Sequence, residues 1–184
     1  RSLVQWAVDH GHTVFMISYR NPDQQMRHVT MDDYLISGPV AALEVVGNIT
    51  GAEKINLLGL CIGGTLTMAT LAYLDAVGVE TINSATFLNT LIDFSEPGLL
   101  GVFTDESTIS RLERTLKRTG FLPKENMQRS FNLLRTNDLI WNYVVSSWLM
   151  GEEPPAFDLL SWNNDSTRMP AEMHTFYLRS CYVE

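Results

Sequence analysis

The hexapeptide Gly59-Leu60-Cys61-Ile62-Gly63-Gly64 sets a single thiol among glycines, between an apolar run that starts at Ile55 and a longer one that continues to Leu74. A cysteine in that position can serve as a nucleophile. A tight strand-to-helix turn lifts the side chain off a sheet edge, the N–H of the next residue, Ile62, points at a developing oxyanion, and the helix N-terminus favours negative charge there. Glycines flank such a residue because the turn is strained and leaves no room for a Cβ. Gly59 and Gly63 match that pattern, with Cys in the place of Ser, and Gly64 lets helix and strand pack closely. A thiol also suits exchange with thioesters, because attacking and leaving groups are both sulfur. That exchange is close to thermoneutral, so water must be kept out. The competing reading makes Cys61 a small buried hydrophobe at a tight turn. The strand before it and the helix after it are the context that favours the nucleophile.

The elements that must hold this turn can be read from hydrophobic periodicity. Leu3, Trp6 and Ala7 share a helical face, with Gly11 as its stop. Thr13 to Tyr19 is a β-rich apolar run, predicted as a strand buried on both faces. A helix follows from Thr30, with Asp33 as a weak capping partner and Pro39 as a kink. "INLLGL" is the second buried strand, "TLTMATLAYLDAVG" a helix closed by Gly78, and Ser84 to Asp93 the third strand. This alternation predicts a parallel sheet with right-handed crossovers, whose functional edge lies at the carboxyl ends of the strands. Cys61 is at one of those ends.

Beyond Phe94 the pattern becomes helical. Short helices are predicted over "STISRLERTLKRTG", capped by Ser107 or Thr108, over "NMQRSFNLLR", and over "NDLIWNYVVSSWLMG", stopped by Gly151. No further buried strand is expected as far as Pro170. Residues 1–94 therefore read as the N-terminal, incomplete part of a core of α/β-hydrolase type, and 95–184 as a helical cap over the sheet edge that returns towards the core at its end. Arg1-Ser2-Leu3 reads as mid-helix and the last residues show no stop signal, so the chain is read as an internal fragment.

A nucleophilic cysteine needs a base, and the base an orienter. In the α/β-hydrolase order the acid and then the histidine follow the nucleophile. His10, His12 and His28 precede Cys61, whereas His174 follows it without a strand-end loop and reads as a surface or cap histidine. The triad's acid and base are expected outside this fragment.

Composition narrows the classes. The formal charge of −8 argues against non-specific nucleic-acid binding, which depends on Lys and Arg. Two distant cysteines, Cys61 and Cys181, make neither a zinc site nor a disulfide framework, and a reducing cytoplasm is the plainer setting. Nothing calls for a metal or a bound cofactor. No apolar run reaches a membrane-spanning length, and the chain opens on no signal segment.

With these residues in view, the sequence resembles the polyhydroxyalkanoate synthases, which polymerise hydroxyacyl-CoA thioesters. The resemblance is carried by "GHTVFMISYRNPD" (11–23), "DDYL" (32–35), "KINLLGLCIGGTL" (54–66), "NDLIWNYVVSSWLMG" (137–151) and "PPAFDLLSWNNDSTRMP" (154–170), and so spans nearly the whole chain. It looks most like the class acting on short-chain (R)-3-hydroxyacyl-CoA. The resemblance implies that Cys61 carries the growing polyester as a thioester, that the Ile62 N–H helps form the oxyanion hole, and that CoA enters and leaves only with substrate. It further implies a homodimer formed through the cap and residence at the surface of polymer granules, and an activity that this fragment lacks alone. Tyr19 where Trp is expected, and Leu60 where Phe is expected before the nucleophile, are the departures; both touch packing or chain-length preference rather than acyl transfer.

Two other functions compete: an esterase, thioesterase or depolymerase using Cys61 with water as acceptor, and a non-enzymatic scaffold in which Cys61 is replaceable. Several side chains carry a functional and a plainer reading. Trp141, Tyr143, Trp148, Phe157 and Trp162 could form a lid or dimer surface, or pack as cap core. Asp93 could be a functional carboxylate, or cap the turn into the insertion. Arg20 could meet CoA phosphates or pair with a nearby Asp. Asn163 to Ser166 reads as a turn, and Cys181 as a structural thiol.

Overall fold

A computed structural model of the chain describes residues 2–134, 136–153 and 167–183. Its contacts divide into two compact units, one of Arg1–Arg20 with Asp32–Ile92 and one of Asn21–Met31 with Asp93–Glu184. Residues 21–31, read from sequence with the first region, pack within the second unit.

In the first unit, helix α1 (Leu3–Asp9) starts at Ser2, whose Oγ accepts the Gln5 N–H. The next helical stretch is broken into α2 (Met31–Leu35), a wide turn over Ile36–Val40 and α3 (Ala41–Thr50). Pro39 lies in the wide turn, where its missing N–H and its ring disrupt the α-helical ladder. Gly38 is buried beneath Tyr19, and Tyr19 stacks on Tyr34 with ring centroids 5.2 Å apart. Strand β1 (Ile55–Leu60) leads into α4 (Ile62–Ala76), and β2 (Ile82–Leu88) pairs with β1 in parallel, Leu60 opposite Leu88.

Helix α4 packs one face of this pair. Its buried residues are small or slender: Gly64, Leu66, Thr67, Thr70 and Leu74. Thr70 is fully buried and satisfies its hydroxyl on the Leu66 carbonyl at 2.8 Å, which makes its burial affordable.

Three strand expectations are corrected, the first being Ser84 to Asp93, since β2 starts at Ile82 and ends at Leu88 where Asn89 takes a positive φ. Thr13–Tyr19 forms no ladder among the described residues, and Phe15, Met16 and Ile17 are exposed. An apolar β-branched run supplies the propensity for a strand, but the strand exists only where a partner offers its N–H and C=O groups. Likewise β1 is not buried on both faces: Leu58 and Leu60 are exposed on the face away from α4.

In the second unit, α5 (Glu106–Thr119) buries Ile109 and Leu116. Each such side chain contributes roughly 1.5–3 kcal/mol by leaving water. Its cap is Asp105, which accepts from both the Ser107 and Thr108 N–H groups at 3.0 Å, and not Ser107 or Thr108 themselves. Gly120 ends the helix in the left-handed region at φ 83°. There follow β3 (Phe121–Leu122), α6 (Lys124–Leu134), wide helical turns over Asn137–Trp141 and Val144–Leu149, β4 (Met169–Pro170) and α7 (Ala171–Tyr182). The antiparallel β3–β4 pair, too short to be read in the sequence, sits over a core of Leu116, Leu122 and Ala171. Segment 21–31 is tied to α7 by the Glu172 and Met173 N–H groups, which donate to the Arg27 and Val29 carbonyls at 3.2 and 3.1 Å.

Candidate active site

Cys61 occupies the junction of β1 and α4 with φ 54° and ψ −127°. Only Cys61 and Asn89, among described non-glycine residues, take positive φ, and they close adjacent strands β1 and β2. Such backbone is disfavoured by the Cβ, and it persists where neighbouring bonds over-determine it. Here the Cys61 N–H donates to the Leu88 carbonyl at 2.9 Å, continuing the strand ladder, while the Cys61 carbonyl accepts from the Gly64 N–H at 2.9 Å and begins the helix. One residue thus belongs to two regular structures at once, and the chain must turn sharply within it.

The turn leaves the Cys61 side chain exposed, so burial as a small hydrophobe does not describe it. The N–H groups at the start of an α-helix have no acceptor within the helix. Those of Gly64 and Thr65 reach the Cys61 carbonyl, at 2.9 and 3.4 Å, and Ile62 follows Cys61 directly as the first helical residue. That arrangement can stabilise an anion that develops beside Cys61.

The glycines divide by role. A Cβ on Gly59 would lie 2.5 Å from Gly64 Cα and 2.6 Å from Thr67 Oγ1, so β1 and α4 touch backbone to backbone there. Gly64 is held bare by Thr90, whose Cγ2 would lie 2.5 Å from an added Cβ. Gly63 is different: nothing lies within 4 Å of its added Cβ, and no steric need for glycine is present among its described neighbours. The expectation that both flanking glycines are packed out of a Cβ holds for Gly59 and not for Gly63.

The residues after β2 reach the same junction, which sequence reasoning missed. Thr90 donates to the Leu88 carbonyl at 3.1 Å, and the Leu91 carbonyl accepts from Thr65 Oγ1 at 2.8 Å. A signal was present in the order strand, Asn-Thr, Leu, since Asn tolerates the left-handed region that ends the strand.

The second unit corrects several expectations. His174 is no surface histidine; it is buried on α7, its Nδ1 has no hydrogen-bond partner among the described residues, and burial pushes its pKa down to about 4. Trp141 and Trp148 are exposed, at 56% and 84%, so neither packs as core here; Tyr143 is part-buried. Phe157, Trp162 and Asn163 to Ser166 lie outside the described residues. Asp93 caps the turn, its Oδ1 accepting the Ser95 N–H at 2.9 Å, and that backbone bond holds its carboxyl below the ordinary range. Arg20 is exposed. Cys181 is a free thiol, pushed up in pKa by burial. Among the described residues, no group of three or more His, Cys, Asp or Glu side chains could hold a metal ion, and no helix is long and apolar enough to cross a membrane.

A family model described as alpha/beta hydrolase fold matches residues 2–180. The chain is 47% identical over its whole length to a poly(3-hydroxyalkanoate) polymerase of Methylorubrum extorquens, and 47% identical to the PhaC subunit of such a polymerase from Rhizobium meliloti. A PhaC subunit from Cupriavidus necator is 44% identical over all of the chain. The chain spans about 30% of the length of these relatives, 30%, 30% and 32% in turn.

Proposed function

The chain belongs to the α/β-hydrolase fold family, and on that premise we propose that it carries the nucleophile of a polymerase that joins (R)-3-hydroxyacyl groups from CoA thioesters into polyhydroxyalkanoate. The observation that carries the proposal is Cys61: an exposed thiol in strained backbone at a strand-to-helix junction, with a helix N-terminus behind it. Its thiolate attacks the thioester carbonyl, the CoA thiolate leaves, and the acyl group remains on sulfur. The 3-hydroxyl of the next hydroxyacyl-CoA then attacks the acyl-cysteine carbonyl, giving up its proton as the Cys61 thiolate leaves. The lengthened acyl-CoA is transferred back to Cys61 with release of its CoA. The N–H of Ile62 stabilises the oxyanion in each tetrahedral intermediate.

The likeness to polymerases over the full length of the chain supports polymerisation over hydrolysis, since an elbow alone serves either acceptor. CoA enters and leaves as part of the substrate, and no metal or resident cofactor takes part. The same reading puts the whole protein, as a homodimer, in the cytoplasm at the surface of polymer granules.

The test is an intact mass of the whole protein that carries this chain, taken after brief exposure to (R)-3-hydroxybutyryl-CoA, beside its Cys61→Ala form. Adducts spaced by one monomer and dependent on Cys61 are expected. A single acyl adduct that hydrolyses without extension would point to a thioesterase. Equal CoA release from both proteins, with no adduct, would remove Cys61 as the nucleophile.

A further inference from the structure

The junction at Cys61 is built from two strand ends. The Leu88 carbonyl, last in β2, accepts two hydrogen bonds: one from the Cys61 N–H at 2.9 Å and one from the Thr90 hydroxyl at 3.1 Å. Asn89, between Leu88 and Thr90, takes φ 47°, one of the two non-glycine left-handed residues described. The side chain of Thr90 lies directly over Gly64, where an added Cβ would come within 2.8 Å of its Cβ. One residue further, the Leu91 carbonyl accepts from Thr65 Oγ1 at 2.8 Å. The exit of β2 therefore grips the first turn of α4 at two successive residues, and through Leu88 it grips the amide of Cys61 itself.

We propose that Thr90 is a positioning residue for Cys61, fixing the strained backbone of the nucleophile through the Leu88 carbonyl and through its packing on Gly64. The inference rests on Cys61 being the nucleophile. Two functions meet in one side chain. The hydroxyl orients the acceptor that holds the Cys61 N–H, and the whole side chain, Oγ1 nearest and then Cγ2 and Cβ, packs on Gly64 and keeps the first turn of α4 at a set distance from the strand end. Sub-ångström placement of a nucleophile relative to its oxyanion donor is where rate is most sensitive to geometry. Left-handed backbone beside a reactive group, retained against its conformational cost, is the pattern expected where structure holds a reactive geometry.

The experiment uses the whole protein with Thr90→Val, which keeps the bulk over Gly64 and removes the hydroxyl, and with Thr90→Ser, which keeps the hydroxyl. Two readouts are taken: kcat and KM for release of CoA from (R)-3-hydroxybutyryl-CoA, and the rate at which iodoacetamide alkylates the Cys61 peptide relative to the Cys181 peptide, followed by mass. Thr90→Val is expected to lower kcat about tenfold with KM held within about twofold, to slow alkylation of Cys61 about threefold, and to leave Cys181 unchanged. Thr90→Ser is expected to return kcat to within about twofold. Faster alkylation of both thiols in Thr90→Val would show general loosening and overturn the positioning role. So would wild-type kcat and alkylation in that variant. A wild-type protein that neither releases CoA nor forms an acyl adduct would defeat the polymerase reading, while the alkylation rates would still decide the role of Thr90.

Discussion

Adjacent glycines at the elbow should respond to the same substitution in opposite directions. Gly64→Ala places a methyl 2.5 Å from Thr90 Cγ2 and 2.8 Å from Thr90 Cβ. Rotation of the threonine can move its Cγ2 but not its Cβ, so backbone must shift. Overpacking of this kind costs typically 1–3 kcal/mol, from which the entropy gained on replacing a helical glycine, about 0.5–1 kcal/mol, is subtracted. Gly63→Ala meets nothing within 4 Å and keeps that entropic gain whole. The two variants are therefore expected to differ by about 2 kcal/mol, Gly63→Ala lying at or above the wild type and Gly64→Ala below it. Equilibrium urea unfolding of the whole protein reads this as the order of the midpoints, Gly63→Ala above Gly64→Ala. Adding Thr90→Gly to Gly64→Ala should recover at least half of the loss, because the two changes act on one contact. Coincident midpoints for the two alanine variants, or a weaker Gly63→Ala, would refute the packing argument and with it the close approach of the β2 exit to α4.

The second unit yields two further expectations. His174 is held neutral by burial, its pKa pushed from 6.5 to about 4. The unfolded chain therefore binds the proton first as pH falls, and stability declines from about pH 6.5 to about pH 4, by up to roughly 3 kcal/mol, then levels off. His174→Met should flatten that decline between pH 7 and pH 5 in urea midpoints, and an unchanged slope would show that another group is responsible. Arg179 donates to Glu113 Oε1 at 2.7 Å and to Glu106 Oε2 at 2.8 Å, joining α7 to two turns of α5. Arg179→Lys cannot reproduce the two-sided fork and should lower the melting temperature, more at low ionic strength than at high. Equal melting temperatures at both salt concentrations would show that the fork adds nothing to docking. Because Arg179 hydrogen bonds hold both carboxyl groups below their ordinary pKa of 4.5, the stability this cluster adds is present above that pH and is lost on further acidification.

What the sequence disclosed follows the range of the interactions. The run from Ile55 to Ala76 was legible because strand, turn and helix are specified there by local pattern: an apolar run, glycines, then a long apolar helix. The next strand, expected over Ser84 to Asp93, runs Ile82–Leu88 because Asn89 turns into the left-handed region. The cap of α5 was misplaced by two or three residues because Asp105, Ser107 and Thr108 are all good caps, and only geometry shows that Asp105 Oδ1 accepts from the other two. Thr13–Tyr19 failed for the opposite reason. Its composition favours a strand, yet pairing is a property of two segments, and the second is invisible to a local reading. At the candidate site, Cys61 stood out in the sequence through its flanking glycines, whereas Thr90 draws notice only once its hydroxyl is seen on the Leu88 carbonyl that also accepts the Cys61 N–H. His174, read from sequence as a surface or cap histidine, is buried on α7, which its apolar neighbours in the chain did not reveal.

The strain at Cys61 is best understood as the outcome of two ladders meeting. Left-handed or related backbone costs of order 1–3 kcal/mol for a residue with a Cβ. Against it stand the bond from the Cys61 N–H to Leu88 and the bond from the Gly64 N–H to the Cys61 carbonyl, both at 2.9 Å, each contributing about 1 kcal/mol net. Relaxing Cys61 to ordinary helical or extended angles would break one of them, because the sheet direction and the helix direction differ at that residue. The balance is close, and this is why the extra hold from Thr90 and Leu91 on the start of α4 matters. Remove it, and the residue can regain its preferred angles at little cost by giving up the Leu88 bond, which turns the thiol away from the strand end. On the proposed mechanism, the Ile62 N–H that follows this turn is the donor to the oxyanion. A serine or cysteine in relaxed backbone at this junction would sit in one ladder or the other, and on the proposed mechanism the amide after it would no longer face the oxyanion oxygen.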